Sequence, residues 1–109
     1  MGGQEHFYFE PNVSVAVPED TDIVIHASTQ NANKTQKIVA NTLGVPANKV
    51  IVKMHRIGGG FGGKESRTIL FSSIAAVAAK HSGRPVRILL DRDVDMTISG
   101  YVFYFYGKF

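Results

Sequence analysis

The sequence predicts an α+β fold in which a mixed β-sheet carries two helices, in the order β-β-α-β-α-β-β. Segments rich in β-branched or aromatic residues lie near both ends of the chain, and two segments between them have helical periodicity. The first two strands adjoin across a short turn, whereas helices separate later strands. Hairpins and crossovers together favour a mixed sheet over a purely parallel one. The 109 residues suit a single domain spanning residues 1–109.

The first two strands form a predicted hairpin. Residues Asn12 to Val17 read NVSVAV, so alternate valines fall on one face. A turn at Pro18-Glu19-Asp20 follows, and Asp22 to Ser28 continues as the second strand.

A short amphipathic helix and a third strand come next. Asn33 is the predicted helix cap, with Gln36 in the position of a capping box, and Gly44 ends the helix. Lys49 to Ile57 is largely β-branched and apolar, as expected of a strand that is buried on at least one face.

The second predicted helix follows a glycine-rich segment. Ser66 is its predicted cap, and Ser82-Gly83 ends it. One stripe of this helix carries Leu70, Ile74, Val77, Ala78 and His81.

The remaining residues are predicted to form two strands and a connection. Val86 to Leu90 is a strand, Asp91 to Gly100 a polar connection, and Tyr101 to Tyr106 an aromatic final strand. The last segment has high β-propensity and no charge, so we expect it to pair with a second copy of the chain.

Composition and charge exclude several classes of function. The formal charge of +3 is spread along the chain, which does not indicate binding to nucleic acid. Cysteine is absent, so a thiolate metal site and a disulfide are excluded. No apolar run reaches the roughly 20 residues of a membrane span, so no membrane association is expected.

The segment from Arg56 to Ser66, RIGGGFGGKES, nearly matches two nucleotide-binding signatures. The phosphate-binding loop needs Ser or Thr where this chain has Glu65, whose carboxylate would repel phosphate oxygens. The dinucleotide signature needs an acidic residue after the next strand, which Asp91 or Asp93 would supply. However, the chain holds too few β-α units for such a fold.

Six segments, in order and covering most of residues 2–100, closely resemble the molybdenum hydroxylases, the xanthine dehydrogenase and aldehyde oxidase family. They are GGQEHFYFE, STQN with KTQ, GVPANKV, GGGFGGKE, GRPVR and LDRDVDM. This resemblance implies a part of a domain that binds molybdenum through a pyranopterin, in enzymes that hydroxylate electron-poor carbons with oxygen from water. It also implies a cytoplasmic protein, with a peroxisomal location as the alternative.

The resemblance implies roles for four residues. Gln30 would direct its side-chain amide at an oxo ligand of the molybdenum, and Phe61 and Gly62 would bring the backbone against the cofactor. Glu65 would hydrogen-bond a purine substrate, because relatives that oxidise aldehydes tend to have an apolar residue there. The glutamate therefore favours the xanthine dehydrogenase branch.

Simpler interpretations remain open for these and other residues. Gln30 is also typical of a polar residue bonding a turn, and Glu65 of a favourable charge in the first turn of a helix. Lys64 is expected to be solvated or to neutralise cofactor charge. The four histidines are expected to be packed or surface residues, and no metal ligand is assigned. The series Asp91, Asp93 and Asp95 suggests a solvated turn, in which Arg92 pairs with one aspartate.

The chain lacks much that the resemblance implies for a complete enzyme, including a catalytic base, so its catalytic set is incomplete. We expect a piece of a longer enzyme, whose remaining domains are its partners, and an isolated chain that is inactive and holds no molybdopterin. The alternative is a non-catalytic structural or binding module derived from the same domain.

Overall fold

A computed structural model describes residues 5–100 of the chain, in which one mixed sheet carries three helices. The strands are β1 Val13–Glu19, β2 Asp22–Ala27, β3 Val50–Lys53 and β4 Val86–Leu89, and the helices are α1 Ala32–Leu43, α2 Thr68–Ser82 and α3 Arg92–Ser99. The strand order is β3-β2-β1-β4, with β2 parallel to β3 and the other pairs antiparallel. The predicted α+β class and mixed sheet are confirmed. The predicted strand at 101–106, and any pairing through it, lies outside the described residues.

The predicted hairpin is present as β1 and β2, whose register runs from Ser14 opposite Ala27 to Glu19 opposite Asp22. Asp20 takes a positive φ of 41° in the two-residue turn, a conformation that Asp tolerates better than most residues. The hairpin places Ser28, Thr29 and Gln30 directly after β2.

Helix α1 begins two residues earlier than predicted. Its cap is Asn31, whose side chain accepts a hydrogen bond from the backbone N–H of Lys34 at 3.0 Å. Gln36 does not complete a capping box; its amide donates to the carbonyl oxygens of Ala47 and Val50. These bonds hold the start of β3 against α1. Strand β3 is also shorter than the predicted 49–57 segment.

Helices α1 and α2 cover one face of the sheet. The side of α2 toward the sheet is made of small residues, including the fully buried Ala75, Ala76 and Ala79, which lets the helix approach the strands closely. Its larger residues Leu70 and Ile74 are 57% and 50% exposed. The apolar stripe identified in the sequence therefore lies on the outer side of α2, beside an apolar groove shared with α1.

Residues 91–100 are not the predicted polar connection, because most of them form α3. Asp95 is 1% exposed rather than solvated, and its carboxylate accepts hydrogen bonds from the backbone and side chain of Asn12 at 2.9 and 2.6 Å. Tyr8 also donates to it. Burial raises the pKa of Asp95, but hydrogen bonds from Ser99, Asn12 and Tyr8 outweigh burial and lower it overall. This buried contact ties α3 to the segment before β1.

The predicted pairing of Arg92 with an aspartate is also wrong. Its guanidinium donates to the carbonyl oxygen of Phe9 at 2.5 Å and lies over the ring of Phe7, 4.9 Å from the ring centre. Among the helices of residues 5–100, none has the length and apolar character needed to cross a bilayer.

Candidate functional site

Residues 58–64, here called the glycine loop, lie between β3 and α2 and contain a tight turn. The N–H of Gly63 donates to the carbonyl oxygen of Gly60 at 2.7 Å, and the two residues between them have positive φ, 52° at Phe61 and 89° at Gly62. A phenylalanine in the left-handed region is strained by about 1–2 kcal/mol. Its side chain is 71% exposed. The loop thus presents a strained aromatic residue to its surroundings.

Gln30 lies beside this turn and is held by it. Its Oε1 accepts hydrogen bonds from the backbone N–H groups of Gly62 at 3.0 Å and Lys64 at 3.2 Å. Because a backbone N–H can donate only to the oxygen of a side-chain amide, these two bonds distinguish Oε1 of Gln30 from Nε2. The Nε2 group therefore points away from the loop, and within residues 5–100 no acceptor takes its hydrogen bonds. The arrangement leaves a fixed, neutral donor available.

The contact between Gln30 and the loop requires a glycine at position 60. A Cβ atom on Gly60 would lie 2.5 Å from Oε1 of Gln30, far inside van der Waals contact. The glycine spacing that resembles a nucleotide signature is thus explained here by close approach of backbone to a side chain.

Lys64 is buried, which contradicts the expectation of a solvated lysine. Its side chain is 0% exposed, and its Nζ donates to Glu10 Oε2 at 2.9 Å and to Ser28 Oγ at 2.7 Å. A lysine enclosed in this way cannot reach phosphates bound at the loop, so the phosphate-binding interpretation fails for a second reason.

Glu10 and Ser28 were missed by sequence reasoning, because no local pattern joins Lys64 to a glutamate 54 residues away. Burial raises the pKa of Glu10, but hydrogen bonds from Ser28, Gly58 and Lys64, together with the lysine charge, outweigh it and lower the pKa below its ordinary value. Glu10 is thus held as a carboxylate.

Glu65 comes directly after the buried lysine and is exposed. Its backbone N–H donates to the carbonyl oxygen of Gly62 at 3.4 Å, while its carboxylate has no hydrogen-bond partner within the described part of the chain. A charged acceptor is therefore free next to the turn that holds Phe61 and Gly62.

The histidines do not combine into a metal site. The rings of His26 and His55 stack with their centres 6.0 Å apart. In the described range 5–100, no group of three His, Asp or Glu side chains is arranged to hold a metal ion.

The structure thus brings Gln30, Phe61 and Gly62 together and puts Glu65 at the end of the same loop. A free amide donor, a glycine backbone and an exposed ring fit a metal that carries its own pterin ligand, because such a group needs hydrogen bonds and close backbone contact rather than protein ligands. The residues present therefore fit the cofactor that the resemblance implies.

Comparison with known proteins bears on the same assignment. The xanthine dehydrogenase/oxidase of Gallus gallus is 51% identical over 100% of this chain, and aldehyde oxidase 2 of Cavia porcellus is 49% identical over 100%. The solved structure of reconstituted CO dehydrogenase from Oligotropha carboxidovorans superposes with a TM-score of 0.75 at 26% identity, covering 84% of this chain and 11% of that one.

The chain spans only about 8% of the length of each of these two curated relatives. The family described as the molybdopterin cofactor-binding domain matches residues 1–108. With the loop geometry and the shared sequence, this match shows that the chain belongs to the molybdopterin cofactor-binding domain family.

Proposed function

We propose that this chain forms part of a molybdenum hydroxylase that oxidises purines, contributing one side of the cofactor site. The observation that carries the proposal is the amide of Gln30, whose oxygen is anchored by two loop N–H groups while its Nε2 has no acceptor among the described residues. A preorganised neutral donor of this kind stabilises negative charge without itself ionising.

Three residues would contact the cofactor. Gln30 Nε2 would donate to the molybdenum centre, and the exposed turn at Phe61 and Gly62 would lie against it. When bound, the molybdenum–pterin group supplies the redox chemistry and the activation of water that this chain's side chains lack. The protein's contribution is a rigid donor and a close backbone surface.

Glu65 supports a purine as substrate. Its exposed carboxylate would accept hydrogen bonds from the N–H groups of a heterocycle, which a charged acceptor binds more strongly than a neutral one does. Identities of 51% and 49% to the two relatives do not separate their substrates. The proposal for purines therefore rests on this side chain.

The remaining domains of a longer polypeptide are the proposed partners. The outer side of α2 exposes Leu70, Ile74 and Val77 along the groove shared with α1, and contiguous apolar surface of this kind is normally covered. Because the Gallus gallus relative is about twelve times as long as this chain, other parts of the same polypeptide are the occupant that we propose.

A chimera tests the proposal. In the Gallus gallus relative, this chain would replace the equivalent segment, and molybdenum content and xanthine oxidation would be measured together. We expect the chimera to bind molybdenum and oxidise xanthine. Glu65→Val should lower kcat/KM for xanthine about 10- to 100-fold, which corresponds to the loss of a charge-assisted hydrogen bond.

Glu19→Gln, an exposed change at the far end of β1, is the matched control and should leave kcat/KM unchanged. The isolated chain should contain no molybdenum. A folded chimera that holds molybdenum but does not oxidise xanthine would favour the non-catalytic module, and an unaffected Glu65→Val chimera would contradict the purine assignment.

A further inference from the structure

Lys64 is the largest fully buried side chain among the described residues. Besides its bonds to Glu10 and Ser28, its Nζ lies 4.7 Å from the centre of the Tyr8 ring. An ammonium group is stable out of water only where ion pairing, hydrogen bonds and an aromatic face replace its hydration. All three are supplied here, at the last residue of the glycine loop.

The carboxylate of Glu10 connects the two ends of this loop. The same oxygen, Oε2, accepts hydrogen bonds from the backbone N–H of Gly58 and from Lys64 Nζ, each at 2.9 Å. The backbone N–H of Glu10 also donates to the carbonyl oxygen of Gly58 at 3.1 Å. A Cβ atom on Gly58 would lie 2.6 Å from Cβ of Glu10, so the loop begins in close contact with this residue.

The backbone of Lys64 is bound by Gln30. Gln30 Oε1 accepts the Lys64 N–H at 3.2 Å, and the Gln30 N–H donates to the Lys64 carbonyl oxygen at 2.9 Å. Lys64 is therefore held by Glu10 through its side chain and by Gln30 through its main chain. A shift of the Lys64 backbone would therefore disturb one of the two hydrogen bonds that Gln30 Oε1 accepts and the bond that the Gln30 N–H donates.

We propose that Lys64 and Glu10 form a buried clamp that closes the glycine loop and sets the direction of the Gln30 amide, which makes both of them positioning residues for the cofactor site. The step from loop position to catalysis rests on the proposed function, but the clamp itself does not. If the pair served stability alone, a variant without it that stays folded would keep the glycine loop in the same position.

Hydrogen exchange in the isolated chain tests the clamp. Lys64→Met keeps a long unbranched side chain and removes its charge. It should speed exchange of the backbone amides at positions 62 and 64 about tenfold, the effect of weakening one hydrogen bond. Amides of the β1–β2 hairpin serve as the internal reference. Lys49→Met, which removes an exposed lysine of another ion pair, should leave the loop amides unchanged.

A double variant separates position from stability. Glu10→Gln combined with Lys64→Met leaves no buried charge unpaired, so it should recover part of the stability that Lys64→Met loses. We expect the Gly62 amide still to exchange faster than in the original chain. Exchange at the original rate in this double variant would overturn the clamp.

The chimera described above tests the link to catalysis. Lys64→Met should lower kcat per bound molybdenum about tenfold, with Lys49→Met as the unaffected control. If the loop amides loosen while kcat per molybdenum stays constant, the positioning role is overturned and the proposed function stands. If the original chimera is inactive, the proposed function fails and the exchange experiment still decides the clamp.

Discussion

Two lysine–carboxylate pairs in this chain have almost the same N···O distance and different surroundings. Lys49 lies 3.0 Å from Asp22, and their side chains are 39% and 35% exposed, whereas Lys64 lies 2.9 Å from Glu10 with exposures of 0% and 33%. The first pair joins the start of β2 to the residue before β3 at the surface. The second closes the glycine loop.

Because the two N···O distances are nearly equal, we expect burial of the lysine, and not distance, to set how much each pair contributes to stability. Water can replace either member of the surface pair, and exposed pairs are worth little. Water cannot reach Lys64, so its charge depends on Glu10, while Glu10 remains partly accessible. The two partners of this pair therefore differ: Lys64 depends on Glu10 to balance its charge, whereas Glu10 can also be hydrated.

The largest expected effect is on Glu10, because its removal strands an ammonium group without a counter-charge. Glu10→Ala should lower the free energy of unfolding by about 3–5 kcal/mol, and Lys64→Met by about 1–3 kcal/mol, since the remaining carboxylate can hydrate. Urea denaturation of the isolated chain measures both. If Glu10→Ala unfolds the chain completely while Lys64→Met leaves it folded, the expectation is also met. A larger loss of stability in Lys64→Met than in Glu10→Ala would contradict it.

The next largest expected effect is a loss of stability at acidic pH. The folded-state pKa of Glu10 is lowered from its ordinary value of 4.5, so its contribution to stability is complete above about that pH and is lost as the pH falls through the folded value. The stability of the original chain should decline below about pH 4.5, and Glu10→Gln should make that decline shallower. Denaturation midpoints at several pH values, in low and high salt, give the measurement.

Salt distinguishes the two pairs in the same experiment. The pKa of Asp22 is also lowered, by hydrogen bonds from Lys49 and Thr21, but an exposed pair is screened by salt and a buried one much less. The Glu10 contribution should therefore persist in high salt. Its disappearance there would show that the buried pair behaves like the surface pair.

The smallest expected effect is at the surface pair. Lys49→Ala should leave the urea midpoint within experimental error, because both partners regain hydration. Its loop-amide exchange should likewise match the original chain. A loss of stability equal to that of Lys64→Met would break the comparison between the two pairs.

Much of the fold could be predicted because its signals are local. Alternating valines specified the hairpin, although Pro18 and Glu19 belong to β1 and the turn lies at residues 20–21. Helical periodicity ending at Gly44 and Gly83 specified where α1 and α2 end. The α3 helix was missed because Asp91, Asp93 and Asp95 look like a solvated turn. A buried Asp95 is favourable because Ser99 on the same helix and the distant residues Asn12 and Tyr8 donate hydrogen bonds to it.

The candidate site divides in the same way. By itself the sequence determined the position of the glycine loop between a strand and a helix, the candidate residues Gln30, Phe61, Gly62 and Glu65, and the resemblance to a family. It did not determine the environment of Lys64, since a lysine after glycines is usually solvated. Nor did it determine which side of α2 faces the sheet.

Only the tertiary structure decided those two points, because both depend on residues far apart in the chain. The sheet accepts the small side of α2, where Ala75 and Ala79 allow close contact, and leaves Leu70 outside. Lys64 is buried because the segment before β1 brings Glu10 and Tyr8 to it, and Ser28, directly after β2, lies beside it. Periodicity and motif spacing describe neighbours along the chain, whereas burial of a charge is set by neighbours in space.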